Sequence, residues 1–126
     1  MAVRFVIIGA GPAGAQAATH AARMGAGVTL VERDVIGGSA NLWDCIPSKA
    51  MIATGGVMSL TKRSRHMGLC GLDAVLDLKA LQARIETITG HLERSETQLM
   101  ASQGVRVIRG QGRLVGPHQV VVDVGA

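Results

Sequence analysis

Two apolar runs frame an alanine-rich segment at the start of the chain. Val3–Ile8 is the first run, which stops at a glycine loop, and Val28–Val31 is the second. Between them, Ala13–Met24 is rich in alanine and begins directly after Pro12. Apolar runs on either side of a helical segment predict a strand, a helix and a second strand parallel to the first.

The loop between the first strand and the helix has the spacing Gly9-x-Gly11-x-x-Gly14, which is typical of dinucleotide-binding turns. In such a turn the first glycine permits the bend, the second lets a phosphate approach the backbone, and the third lets helix and strand pack closely. Pro12 suits the first helical position, because that position needs no N–H in the helix ladder. The free N–H groups that follow, from Ala13 onward, lie at the positive end of the helix dipole and predict an anion site.

An acidic residue, Glu32, closes the second strand 23 residues after Gly9. A carboxylate at this position can accept a hydrogen bond from a ribose hydroxyl. The strand, the glycine loop, the helix and the acid together predict dinucleotide binding. The alternative is a glycine turn in a βαβ unit that binds no ligand.

The middle of the chain carries a second pair of glycines. Residues 34–39 are predicted to form a loop in which Gly37 and Gly38 again bring backbone near a cofactor. The following segment is predicted to enter a helix that continues through Ala53, and the pair at residues 55 and 56 weakens its later part without ending it. Residues 68–71 are predicted to form a loop.

The longest predicted helix is Leu78–Ser102, with Gly104 as its C-terminal stop. Its large apolar residues follow spacings of three, four and seven, which makes a heptad-like stripe. The stripe consists of Leu78, Leu81, Ile85, Ile88, Leu92 and Leu99. We expect it to pack in the core against a neighbouring helix; the alternative is a contact between subunits.

Three short strands are predicted after this helix and are expected to form a β-meander: Val105–Ile108, Gly112–Val115 and Gln119–Val124. The glycines from Gly110 to Gly116 almost repeat the spacing of the first glycine loop. They have one residue too many, and a turn and a strand follow them rather than a helix. We therefore expect no second dinucleotide loop there.

Composition narrows the classes of function. The 126 residues are enough for one domain, and 48% hydrophobic with 17% charged residues predicts a packed core rather than disorder. Aromatic residues make up only 2%, and the basic residues behind the formal charge of +4 are scattered except at Lys62–His66. This distribution favours a solvated turn or a phosphate contact over a nucleic-acid partner, so no nucleic acid is expected.

The two cysteines make no disulfide framework, and the four histidines have no metal-ligand spacing. No apolar run approaches the roughly 20 residues of a membrane span, and no signal peptide is recognisable. We therefore expect a cytoplasmic protein without a metal site, in which any membrane role is peripheral.

Together these residues resemble the FAD domain of the flavoprotein disulfide reductases, a pyridine nucleotide-disulfide oxidoreductase family that includes dihydrolipoamide dehydrogenase and glutathione reductase. The glycine loop and Glu32 fit its FAD fingerprint, and Gly37–Gly38 with Cys45-Ile46-Pro47-Ser48-Lys49 fit its active-site helix. The resemblance implies an α/β fold, a Rossmann-like FAD-binding domain. It also implies that residues 1–126 are the N-terminal part of that domain, with NAD(P)H bound by a further domain and a homodimer formed through another.

The resemblance also implies the residues of the site. Contacts to FAD are expected at Gly9, Gly11, Pro12, Ala13, Gly14, Glu32, Arg33, Gly38, Ser39 and Lys49. As catalytic residues, Cys45 is expected near the reactive face of the flavin, and Lys49 beside flavin N5, where its ammonium would stabilise negative charge. The alternatives are a packing role for Cys45 and a solvated helix position for Lys49.

The chain departs from the family pattern at Ala40, where the family has the first of two redox cysteines, and at Asp44, where it usually has glycine. A dithiol relay needs a second thiol to resolve the mixed disulfide. The expected function is therefore an NAD(P)H oxidoreductase similar to the NAD(P)H-quinone reductases, passing electrons from FAD to a quinone-like small molecule. The alternatives are a single-cysteine disulfide reductase or peroxidase that uses Cys45, and a flavin-binding module without catalysis.

Overall fold

The computed structural model describes residues 3–125 as an α/β chain with five strands and four α-helices. In chain order these are β1 (Arg4–Ile8), α1 (Pro12–Arg23), β2 (Gly27–Glu32), α2 (Gly38–Leu42), α3 (Cys45–Arg63), a 3-10 helix (Ser64–Met67), α4 (Leu78–Ser102), β3 (Arg106–Arg109), β4 (Gln111–Gly116) and β5 (Gln119–Asp123). The α/β class is confirmed, and so are the predicted strands and both long helices.

Strands β1, β2 and β3 form a parallel sheet in that order, with β2 in the centre. Parallel neighbours need crossover connections. Helix α1 connects β1 to β2, and the segment from α2 to α4 connects β2 to β3. The carboxyl ends of β1 and β2 therefore share one edge of the sheet, which places the glycine loop beside Glu32.

The structure corrects the strand pairing expected after the longest helix. Strand β3 pairs in parallel with β2, with Glu32 opposite Arg109, and only β4 and β5 form an antiparallel pair. The three strands are therefore not one meander. The chain leaves α4 at Gly104 and enters the sheet beside β2 with Val105 buried in the core, so burial of this apolar segment overrides its proximity in sequence to β4.

Three helices refine the predicted boundaries. Helix α2 begins at Gly38, inside the segment predicted as loop. Helix α3 continues through both of its glycines to Arg63. Helix α4 has the predicted bounds, but Leu78 and Leu99, the ends of its stripe, are exposed, and Met100 is the residue of α4 that is buried. The four central residues of the stripe are half-buried, as a core-facing stripe requires.

The inward side of α4 also carries an acid. The Oε2 atom of Glu96 is buried and has no hydrogen-bond partner among residues 3–125, and burial raises the pKa of this carboxyl above its ordinary value. A raised folded-state pKa means that the folded protein binds more protons than the unfolded chain, so the free energy of unfolding falls as pH rises from about 4.

We expect Glu96→Gln to raise Tm at pH 7 and to have a smaller effect at pH 4. Thermal unfolding across pH checks this prediction. The control is Glu86→Gln, at an exposed glutamate on the same helix that accepts a hydrogen bond from Gln82. Equal shifts in Tm at both pH values would contradict the prediction.

Three other features bear on function: membrane-spanning helices, metal-binding groups and cysteines. Within residues 3–125, no helix is both long and apolar enough to cross a membrane. In the same range, no group of three or more His, Cys, Asp or Glu side chains is arranged to hold a metal ion. The cysteines, Cys45 and Cys70, are both free and exposed.

Candidate dinucleotide-binding site

The glycine loop is fixed at both of its ends. Gly9 adopts a positive φ of 98°, and its N–H donates to the carbonyl oxygen of Val31 at 2.8 Å. A Cβ on Gly14 would lie 3.0 Å from the carbonyl carbon of Gly9 and closer still to its oxygen. Only glycine at both positions allows the first turn of α1 to approach the end of β1 this closely.

The N-terminus of α1 has the properties of an anion site. Gly11 is the N-cap without a capping side chain, Pro12 is the first helical residue, and the first turn contains no acid. Among the described residues, no hydrogen bond is made by the N–H groups of Ala13 and Gly14. A Cβ added to Gly11 would meet no atom within 4 Å, so the backbone there is open to a ligand. This cradle fits a phosphate group.

The carboxylate of Glu32 joins the glycine loop to the end of β2. Its Oε2 accepts from the N–H of Ala10 at 2.6 Å, its Oε1 accepts from the N–H of Asp34 at 2.8 Å, and the residue is 9% exposed. Sequence reasoning predicted only an acceptor for a ribose and missed this structural role. Each carboxylate oxygen has a second lone pair, so the arrangement leaves capacity for a ligand hydroxyl.

The second glycine pair lies directly against the first loop. The N–H of Gly37 donates to the carbonyl oxygen of Ala10 at 2.8 Å, and a Cβ on Gly38 would lie 2.9 Å from Cα of Gly11. Helix α2 therefore begins in contact with the glycine loop, and Ser39, in its first turn, is exposed. The structure shows a close approach of this segment to the backbone of the first loop, and its predicted approach to a cofactor stays a prediction.

A cavity of about 280 Å³ opens beside Glu32. It is lined by the ends of β1 and β2, by Arg33 and Asp34, and by residues 110–112. This volume is close to the lower end of the range for small-molecule sites. Residues 110–112 do not form a dinucleotide loop, as predicted, but they supply the cavity wall; the parallel placement of β3, which sequence reasoning missed, brings them there.

The residues predicted as catalytic lie on α3. Cys45 is its first residue and Lys49 lies one turn further on, and both are exposed. Asp44 is the N-cap residue, and its carbonyl oxygen accepts from the N–H of Ser48 at 3.1 Å, but its side chain makes no capping hydrogen bond within the described residues. Helix α3 begins three residues after the end of α2, the helix whose first residue contacts the glycine loop, so Cys45 follows that contact closely in the chain.

Two residues that hold the loops around the site were missed from the sequence. Asn41 is buried and donates from Nδ2 to the carbonyl oxygen of Ile36 at 3.1 Å, which fixes the bend before α2. Arg109 donates to the carbonyl oxygen of Asp34. No residue spacing in the sequence predicts either contact. The Asn41 contact depends on a local bend, and the Arg109 contact joins residues that are 75 positions apart.

The comparisons with known proteins agree with this geometry. The model of the family described as pyridine nucleotide-disulphide oxidoreductase matches residues 3–125. The chain is 39% identical over 120 residues to an NAD(P)H dehydrogenase (quinone) of Mycobacterium tuberculosis, covering 91% of this chain and 24% of that protein. It is 33% identical over 119 residues to the chloroplastic dihydrolipoyl dehydrogenase 2 of Arabidopsis thaliana, covering 92% and 21%.

Solved structures show the same architecture. LpdA of Mycobacterium tuberculosis matches with a TM-score of 0.79 at 36% identity, covering 91% of this chain and 25% of that one. RclA of Escherichia coli, an HOCl-induced flavoprotein disulfide reductase, matches with a TM-score of 0.74 at 24% identity, covering 93% and 24%, and shows the fold alone. The chain thus spans about a quarter of the length of these relatives. The match to the family model over nearly all of its length shows that this chain belongs to the pyridine nucleotide-disulphide oxidoreductase family.

Proposed function

We propose that this chain is the N-terminal part of the FAD-binding domain of a longer NAD(P)H oxidoreductase that reduces a quinone-like acceptor. The overall reaction takes two electrons and one proton from NAD(P)H and a second proton from water, and converts a quinone to a quinol. When bound, FAD supplies the two-electron transfer between these partners. The similarity to an NAD(P)H dehydrogenase (quinone) supports the acceptor class.

The residues present fit the adenosine and pyrophosphate part of FAD. The open backbone at Gly11 and the free N–H groups of Ala13 and Gly14 would bind the pyrophosphate. Glu32 would accept from the ribose, and Arg33 lies at the rim of the cavity beside it. Gly38 and Ser39 would border the pyrophosphate from α2, because Gly38 is in close contact with Gly11.

The observation that carries the proposed route of the electrons is the alanine at position 40. Ala40 lies in α2 without a sulfur atom, so Cys45 has no partner at the family spacing. Cys70 does not replace it. Helix α3 is about 28 Å long, and the N–H of Leu69 donates to the carbonyl oxygen of Ser64 at the far end of that helix. Cys45 and Cys70 therefore lie at opposite ends of α3, and a dithiol relay is not available within the described residues.

Lys49 supports the same route. Its ammonium lies one turn into α3 and is exposed, so it would be free to approach a flavin bound along the start of this helix. A positive charge there would stabilise negative charge that develops on the flavin ring. The role proposed for Lys49 therefore needs no thiol.

We expect Cys45→Ser in the full-length protein to lower kcat for a water-soluble benzoquinone by less than about threefold, since no thiol takes part in the transfer. Steady-state NAD(P)H oxidation measures this, and Cys70→Ser is the matched control. Turnover of hydrogen peroxide or lipoamide that disappears in Cys45→Ser, with no quinone reduction by the unaltered protein, would instead support the single-cysteine alternative. A protein that binds flavin but oxidises no NAD(P)H would support the module without catalysis.

A further inference from the structure

The guanidinium of Arg109 connects β3 to the turn after β2 and to helix α4, next to the cavity beside Glu32. Its two terminal nitrogens donate at 2.6 Å each, one to the carbonyl oxygen of Asp34 and the other to Oε1 of Glu93 on α4. Arg109 is the last residue of β3 and lies opposite Glu32 in the parallel register. Arg109 therefore ties the turn after β2 to a long helix on a different part of the chain.

The turn held by Arg109 forms one wall of the cavity. The N–H of Asp34 donates to Oε1 of Glu32, while the carbonyl oxygen of Asp34 accepts from Arg109. This residue is thus fixed on both sides, by the acid predicted to bind the ribose and by an arginine 75 positions later. A change at Arg109 would free the carbonyl oxygen of Asp34, so the turn that presents the second N–H to the Glu32 carboxylate would be held on one side only.

We propose that Arg109, anchored by Glu93, is a positioning residue for the adenosine end of the bound FAD. Arg109 fixes the turn at residues 33–34, and the turn in turn fixes the orientation of Glu32 toward the ribose. This inference rests on the proposed function, because it needs FAD at the glycine loop. It adds a residue pair whose side-chain hydrogen bonds, among the described residues, run to the turn and between the two side chains.

The exposure of the pair separates a positioning role from a general structural one. The side chains of Arg109 and Glu93 are 49% and 28% exposed. Ion pairs exposed to this degree contribute little to the free energy of unfolding. Loss of the pair should therefore leave Tm almost unchanged, and its effect should appear in ligand affinity.

The test measures the Kd of FAD and of ADP for the full-length apoprotein, by flavin fluorescence and by calorimetry. Arg109→Gln should weaken both ligands about tenfold, as expected for loss of a charge-assisted hydrogen bond. Glu93→Gln should weaken both in the same direction by less, and Arg109→Lys should restore part of the loss. Arg106→Gln, an exposed arginine on the same strand, is the matched control and should change neither Kd.

Each other outcome overturns the inference. Unchanged affinity in Arg109→Gln would show that the turn does not need the contact. A loss in Arg109→Gln with none in Glu93→Gln would indicate a direct contact of Arg109 with the ligand. A fall in Tm that parallels the fall in affinity would indicate a general structural role. If the unaltered apoprotein binds neither FAD nor ADP, the proposed function fails, and that result is distinct from normal binding that the variants leave unchanged.

Discussion

Replacing Gly14 by alanine is expected to lower FAD affinity in the full-length protein by at least about 100-fold, from a steric cost of about 3 kcal/mol. The new Cβ would lie 3.0 Å from the carbonyl carbon of Gly9 and closer to its oxygen, and both atoms are backbone. The loop would have to move away from α1. That movement would disturb the hydrogen bond from Gly9 to Val31 and the free N–H groups at the start of the helix.

The matched control for this change is Gly55→Ala. Gly55 lies inside α3, and a Cβ there would meet no atom within 4 Å. Alanine at a helical position without a clash stabilises a protein by about 0.4–1 kcal/mol, so Tm should rise slightly and FAD affinity should not change. Equilibrium titration of the apoprotein with FAD, together with thermal unfolding, checks both variants. Normal FAD binding by Gly14→Ala would show that the close approach is not needed.

Replacing Glu32 by alanine is the second change with a large expected effect. It would remove the acceptor for the buried N–H of Ala10 and for the partly buried N–H of Asp34. An unsatisfied buried N–H costs about 1–3 kcal/mol and a partly buried one costs less, so we expect a loss of about 3 kcal/mol in the free energy of unfolding. The ribose would lose its acceptor as well, and the affinity for FAD should fall by about 100-fold.

Chemical denaturation and FAD titration measure the two effects of Glu32→Ala separately. Glu32→Gln should lie between the variant and the unaltered protein, because the amide keeps one acceptor oxygen but presents an NH₂ group to the other N–H. Glu86→Ala on the exposed side of α4 is the control and should change the free energy of unfolding by less than about 0.5 kcal/mol. If Glu32→Ala were stable but bound FAD weakly, Glu32 would be needed for the ligand and not for the fold. If the variant were stable and bound FAD normally, both proposed roles of Glu32 would be contradicted.

The conformation of the glycine loop was predictable from the sequence, because a backbone requirement selects the residue type at its key positions. Gly9, Gly14 and Pro12 are conditions of the loop itself, so their spacing is enough to predict strand, turn and helix. The C-terminal end of helix α4 was predictable because Gly104 follows it, whereas the cap at its start, where Asp77 accepts from the N–H of Ala80, was not used in the prediction. These are local signals, and local signals can be read from the order of residues.

The remainder depends on contacts between distant segments. The parallel pairing of β3 with β2 follows from burial of Val105 against the core and from the path of α4. The residues of β3 do not by themselves indicate which strand it will pair with. The structural role of Glu32 depends on the bend at Asp34, and the Arg109 contact joins residues 75 positions apart. The wall of the cavity at residues 110–112 was missed for the same reason, although the strand predicted to follow these glycines, in place of a helix, is present.

The central claim is that electrons pass from bound flavin to the acceptor without a dithiol. Anaerobic titration of the full-length protein with NADH, followed by visible absorption, tests it most directly. The flavin accepts two electrons, and a redox-active cysteine pair would accept two more. We predict that one equivalent of NADH bleaches the flavin bands completely and that no long-wavelength thiolate-to-flavin band appears. A requirement for two equivalents, with such a band at the midpoint, would contradict the claim.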